Sequence, residues 1–274
     1  MIAFYAMGGG LGHLTRVRAF IHTYGIKDSF RVITANRAAF RFFTSEKVLF
    51  IESDKETTRD ELAQKIHDAT RDLKFKDLYV DAFPNGILGE LSEKLILVEH
   101  RHYLARRLIW KNYQPMLDGE ITFNTIYRFE PLETDHQLFI QSHGKQIIKV
   151  SLDFSFLQSN KLPTTKKLSQ PLWLIVHSTH PEELKLLLDH AQDIAKLEQI
   201  QPHFIVLSDV SLPLPDSIEL LMNENPMDWY SLAERIFTGG GFNTWYQLKP
   251  WRNKHTALPF KRRYDDQFWR VSLK

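Results

Sequence analysis

Residues 3–20 read AFYAMGGGLGHLTRVRAF, a short apolar run that passes through four glycines into a helix-like repeat. No other feature constrains the fold of this chain as strongly. Ala3 to Ala6 is apolar and aromatic throughout, as a buried strand requires. From Leu11 the apolar residues recur at Leu14, Val17, Phe20 or Ile21, and Tyr24. They mark one face of a helix, with Arg16, Arg18 and His22 on the other side. Gly8, Gly9, Gly10 and Gly12 then form the turn into that helix, where glycine permits unusual backbone angles and close approach of another group. A helix start carries N–H groups without intrahelical acceptors and a partial positive charge, which suits an anionic or hydroxyl-rich ligand. A tight connection that needs small residues only for packing is the plainer account of the same glycines.

The alternation continues. FRVITA (30–35) and KVLFIES (47–53) read as strands, ELAQKIHDATRDL (61–73) as a helix, and DLYVDAF (77–83) and KLILVEH (94–100) as strands. GEITFNTIYRFEP and GKQIIKVSLDF are less regular and read as edge structure. Continuous apolar strands alternating with helices predict a parallel sheet covered on both faces. QSNKLPTTKKLSQP (158–171) is polar, lacks aromatics and holds two prolines, the composition of a linker. Behind it a second series begins with LWLIVHS (172–178). The helix PEELKLLLDHAQDIAKL, the strand HFIVLSD, the short helix PMDWYSLAERI, the strand IFTGGG and the strand HTALPF (255–260) follow. Two α/β domains are expected, residues 1–160 and 171–274, each with a triple-glycine turn before a helix.

With 43% hydrophobic and 25% charged residues the chain belongs with folded globular proteins. It has no cysteine, so disulfide and thiolate chemistry are excluded. No apolar run reaches membrane-spanning length, and no signal-peptide pattern opens the sequence, which predicts a cytoplasmic protein. A formal charge of +2 does not indicate a nucleic-acid partner.

Two familiar phosphate-binding patterns fail. A dinucleotide fingerprint from Gly8 would need a glycine where His13 stands, and neither glycine turn is followed by the Lys-Ser/Thr pair of a P-loop. The second turn, FTGGGFNTWYQLKP (237–250), ends a strand near Thr238, and Asn243 or Thr244 can cap the helix that Pro250 stops. A turn of this kind can hold a diphosphate without a metal. Downstream, ALPFKRRYDDQFWR places Asp265, Asp266 and Gln267 in a loop after a strand. Their oxygens suit sugar hydroxyls. No D-x-D sequence occurs, so a metal-dependent sugar transferase has no visible ligand pair.

GGGLGH (8–13), TGGGFNTWYQ (238–247) and LPFKRRYDDQ (258–267), in that order and at these separations, resemble the motifs of GT-B glycosyltransferases. The likeness is to the lipid II-forming N-acetylglucosaminyltransferase and to UDP-sugar transferases related to glucuronosyltransferases. It implies two Rossmann-like domains with parallel sheets facing a cleft, and metal-independent, inverting transfer of a sugar from a nucleotide-diphosphate sugar, UDP-linked, to an acceptor hydroxyl. The sugar would be a hexose or N-acetylhexosamine, and no cofactor is implied. His13 corresponds to the general base and Gly9, Gly10 and Gly12 to the acceptor-side loop. Thr238, Gly239, Gly240, Gly241, Asn243 and Thr244 correspond to the diphosphate cradle, with Ser178 and Thr179 as a phosphate-touching loop. Gln247 stands where the family often has a ribose-binding glutamate, and Asp266 and Gln267 match the donor-sugar readers. Both halves are short for the family. A non-catalytic nucleotide-sugar binder, or a partner subunit of another glycosyltransferase, is therefore the alternative.

Other features carry two readings each. His13 is either a base or a donor to a phosphate or a neighbouring carbonyl. Asp265 and Asp266 fit a helix start as well as a sugar site, and Lys261, Arg262 and Arg263 fit a solvated run or, as the lesser reading, a phosphate contact. EHRHYLARRLIWKNY (99–113) is a surface helix or, with Arg106, Arg107, Lys111, Leu108, Ile109 and Trp110, a peripheral contact with anionic lipid. A lipid-linked acceptor would favour the latter. The pairs His100/His102 and His177/His180 have ligand-like spacing without an evident third ligand, and His177 can instead flank the donor.

Overall fold

The structure, a computed structural model, describes residues 1–119, 121–158, 163, 170–178, 180–210 and 213–273. Most of the predicted linker, and Thr179, lie outside the described residues. Two compact units are present: Met1–Asp153 with Arg263–Asp265, and Phe154–Arg262 with Asp266–Lys274.

The first unit runs β1 (Ile2–Tyr5), α1 (Gly12–Thr23), β2 (Phe30–Thr34), β3 (Val48–Phe50), α2 (Arg59–Thr70), β4 (Asp77–Asp81), β5 (His100–Ala105), α3 (Trp110–Tyr113), β6 (Phe123–Arg128), α4 (Thr134–His143) and β7 (Gly144–Lys149). Its seven strands lie in the order β3-β2-β1-β4-β5-β6-β7, and every pairing is parallel. β1 is buried along its whole length because it is central and covered on both faces. The chain winds outward from β1 in one direction to β3 and then in the other from β4 to β7. The order therefore reverses between β1 and β4, and ligands of such sheets bind beyond the carboxyl ends of the strands at that point. α1 packs through Leu14, Val17 and Phe20, as its periodicity predicts, but Arg16 is buried with them. α2 opens with a full capping box, Thr58 and Glu61 each bonding the other's backbone N–H.

The second unit runs β8 (Leu172–Val176), α5 (Pro181–Leu197), β9 (His203–Leu207), β10 (Ile218–Leu221), β11 (Arg235–Gly239), α6 (Phe242–Gln247), β12 (His255–Leu258) and α7 (Gln267–Val271). Its sheet is again all parallel, ordered β10-β9-β8-β11-β12, with the reversal between β8 and β11. α5 covers it with Leu184, Leu187, Leu188, Ala191 and Ala195.

Four expectations need correction. KLILVEH is not a strand: the Arg101 guanidinium donates to the carbonyls of Glu93 and Ile96 and curls the segment, so pairing starts only at His100. Residues 99–113 are neither a surface helix nor a lipid-facing one. They form β5 and α3, with Leu108 and Trp110 in the core and Arg106 buried, leaving no apolar face to insert into lipid. GEITFNTIYRFEP contains β6, which is interior; of the two segments read as edge structure, only GKQIIKVSLDF, which contains β7, lies at an edge. PMDWYSLAERI is reduced to a 3₁₀ turn at Pro226–Asp228. Among the described residues no helix is long and apolar enough to cross a membrane.

Candidate functional site

The reversal point of the first sheet lies between β1, which feeds the first glycine turn, and β4, which ends on Asp81. His13, in the first turn of α1, places Nδ1 2.6 Å from Asp81 Oδ2. Arg16, one helical turn on, holds the same carboxylate from the other side, with Nε 2.6 Å from Oδ1 and Nη2 2.7 Å from Oδ2. Asp81 is fully buried and Arg16 almost so. Burial alone would raise the Asp81 carboxyl, but Arg16 and His13 together hold it below the usual range, so it is ionised. An ionised carboxylate only accepts, so Nδ1 of His13 carries the proton and Nε2 is the basic position. Burial also lowers the His13 imidazole below its ordinary value. Asp81 opposes this, and the charges of Arg16 and Arg106 add to it. The result is a neutral imidazole at physiological pH with a defined tautomer.

The glycines divide into two kinds. A side-chain carbon at Gly8 would fall 2.4 Å from His13 Cδ2 and Nε2, so the imidazole seats itself where only glycine leaves room. Gly9 and Gly10 are exposed and have nothing within 4 Å of such a carbon, and Gly12 is the first residue of α1. The Phe83 ring packs against His13 with centroids 5.5 Å apart.

At the reversal point of the second sheet, His177 follows β8 and the triple glycine ends β11. Ser178 is exposed beside His177. His177 Nε2 lies 2.9 Å from Glu183 Oε2, and Arg262 grips Glu183 through two contacts of 2.5 Å. Burial lowers the His177 imidazole; burial tends to raise the Glu183 carboxyl, but Arg262 prevails and lowers it. A carbon added at Gly239 would fall 3.3 Å from Phe260 Cδ2, closer than side chains ordinarily pack, and 3.5 Å from His177 Cε1. The Gly240 N–H donates to Leu258 O at 3.1 Å, and its carbonyl accepts from Arg270 Nη1 at 2.8 Å. A carbon added at Gly240 would fall 2.7 Å from Val271 Cγ2, whereas Gly241 opens onto empty space.

The remaining predicted residues are placed as follows. Thr238 is fully buried, donating to the Gly239 carbonyl and lying 2.8 Å from His255 Nε2, so its hydroxyl is engaged behind the turn. Asn243, Thr244 and Gln247 lie half-buried on α6. Neither Asn243 nor Thr244 caps that helix: Gly241 is the N-cap, without a side-chain bond. Asp266 caps α7, accepting from Trp269 N at 3.1 Å, and Gln267 is buried with Oε1 accepting from Phe260 N at 3.0 Å. Asp265 groups with the first unit, where it accepts from Arg106 Nη1 at 2.6 Å. Arg262 is in an ion pair, not a solvated run.

Sequence reasoning missed Asp81, Arg16 and Glu183 as parts of these sites, and gave Gly8 only as part of the turn and Arg262 only as a solvated run or a phosphate contact. The one available signal was an acid closing an apolar strand, DLYVD. Among the described residues no group of three or more histidine, aspartate or glutamate side chains could hold a metal ion.

The sequence matches no protein-family profile and no curated protein. Its fold is nonetheless shared. The spinosyn forosaminyltransferase SpnP superposes with a TM-score of 0.63 at 12% identity, over 99% of this chain and 82% of that one. The glycotransferase of kitacinnamycin gives 0.59 at 11% identity, over 99% and 83%. The UDP-GlcNAc 2-epimerase from Methanocaldococcus jannaschii gives 0.52 at 12% identity, over 99% and 91%. The structural neighbours of this chain are thus glycosyltransferases and a UDP-sugar epimerase, and it has the paired parallel-sheet α/β fold of the GT-B type.

Proposed function

We propose that this protein is a glycosyltransferase that moves a hexose or N-acetylhexosamine from a nucleotide-diphosphate sugar, UDP-linked, to an acceptor hydroxyl. The reaction is metal-independent and inverting. The observation that carries the reading is the His13–Asp81–Arg16 cluster at the reversal point of the first sheet. His13 Nε2 takes the acceptor O–H proton as the oxygen attacks the anomeric carbon. The bond from that carbon to the donor diphosphate breaks, and the diphosphate leaves with the electron pair. A positioned base contributes ~10²–10⁴-fold. The turn at Gly239–Gly241, with Asn243 and Thr244, receives the donor diphosphate, Gln247 the ribose, and Ser178 and Thr179 a phosphate oxygen; His177 flanks them. Asp266 and Gln267 read the sugar. A donor aimed at a developing anion is typically worth roughly 2.7–4 kcal/mol, and the Gly240 N–H, already given to Leu258 O, is not such a donor.

The test is His13→Ala. It should abolish transfer while the nucleotide found in a thermal-shift panel of UDP, GDP, dTDP and CMP with their sugars still binds. Acceptors should include lipid-linked hydroxyls. Undiminished transfer by the variant refutes the assigned base.

A second reading, a non-catalytic nucleotide-sugar binder or partner subunit, is favoured by Asp266 and Gln267 being spent on α7 and Phe260. Donor hydrolysis or transfer by the purified chain would reject it.

A further inference from the structure

Asp81, Ala82 and Phe83 form a turn of an uncommon kind. The Phe83 N–H donates to the Asp81 carbonyl at 2.8 Å, two residues apart, and Ala82 between them has φ +65°. This is the strained form of the three-residue turn, which a residue with a side chain adopts only when its surroundings impose it. The turn joins the two groups that touch His13, the Asp81 carboxylate before it and the Phe83 ring after it.

What imposes it is buried and makes no use of the reacting centre. The Tyr103 hydroxyl donates to the Ala82 carbonyl at 2.8 Å. Its single proton being spent there, its oxygen accepts from His136 Nε2 at 3.1 Å, which sets the His136 tautomer with a bare Nδ1. Tyr103 and His136 are completely buried, and the His136 ring stacks on Trp110 with centroids 4.0 Å apart and planes 9° apart. A titrating or water-seeking histidine would not be walled in this way.

We propose that Tyr103 and His136 are positioning residues for the His13–Asp81 pair, clamping the strained turn at Ala82 so that Asp81 holds the Nδ1 proton of His13. The catalytic consequence rests on the transferase reading; the clamp does not.

Long-range ¹H–¹⁵N spectra of histidine side chains test it on the intact protein, with His13 and His136 assigned by His13→Ala and His136→Phe. In the wild type at pH 8, His13 should be the Nδ1–H form and His136 the Nε2–H form, and His136 should stay so down to pH 5. Tyr103→Phe should turn His13 into a mixture of tautomers while the fold persists. Adding Ala82→Gly, which adopts positive φ without strain, should restore the single form. A His13 signal unmoved by Tyr103→Phe, a failure of Ala82→Gly to restore it, or an Nδ1–H form of His136 would each overturn the clamp. Absence of sugar transfer would sink the proposed function and leave these spectra as they are, so the two failures are told apart. Where transfer is measurable, Tyr103→Phe should lower kcat at least tenfold at unchanged KM, and Ala82→Gly should recover it.

Discussion

Replacing Asp81 by Asn keeps the shape of the side chain and removes the charge around which His13 and Arg16 are arranged. The amide cannot accept from both: turned to satisfy Arg16 through its oxygen, it presents N–H to His13 Nδ1 and drives the imidazole into the wrong tautomer. It also leaves a guanidinium that is 2% exposed facing an amide where a carboxylate stood. Breaking a buried pair from one side costs about 3–5 kcal/mol, against a typical total stability of roughly 5–15 kcal/mol. The variant should fold, with the thermal transition of the first unit lowered by roughly 6–20 °C. Transfer should fall by ~10²–10⁴-fold. Circular dichroism melts and transfer rates at matched pH measure both. Because the folded Asp81 carboxyl lies below its ordinary value, its stabilisation is fully present above pH ~4 and is lost as pH falls through the depressed value. The wild-type and variant melts should therefore converge only in strong acid. Arg16→Met with Asp81→Leu should recover much of the stability and none of the activity, since an apolar pair replaces a buried ion pair at little cost. If Asp81→Asn melts within 1 kcal/mol of wild type, by the same conversion, or transfers at the wild-type rate, the buried-charge argument is wrong.

The other expectations concern pH and the glycines. Burial pushes the His136 imidazole down to about 3, so the unfolded chain binds its proton first and stability falls as pH drops from 6.5 toward 3. Its full share is on the order of 5 kcal/mol, and His136→Phe should flatten the dependence of melting temperature on pH over that window. Gly8→Ala should displace the His13 ring and abolish transfer with donor affinity intact, while Gly9→Ala and Gly10→Ala stay near wild type in the same assay. Gly240→Ala should lower both the melting temperature and nucleotide affinity by calorimetry, because it drives Val271 and α7 away from the turn. Gly241→Ala, which meets open space, should leave the melting temperature unchanged.

Much of this protein was legible in one dimension. Apolar continuity in AFYA, FRVIT and HFIVL specified buried parallel strands, and the two glycine runs marked where each sheet hands over to a helix. α1, α2 and α5 were readable because their apolar spacing is local. The histidine at the first turn was picked out by the resemblance of GGGLGH (8–13) to a glycosyltransferase motif.

The partners of that histidine could not. A helical wheel puts Arg16 on the polar side of α1, yet that side faces the end of β4, because the sheet order places β4 directly against β1. Asp81 thus meets residues 65 and 68 positions earlier in the chain, and Arg262 reaches Glu183 across 79. Adjacent aspartates part company likewise, Asp265 pairing with Arg106 in one unit and Asp266 capping a helix in the other. Strand order is settled by which apolar faces bury one another, a collective property with no local spelling, and it alone decides which strand ends, and so which charges, become neighbours.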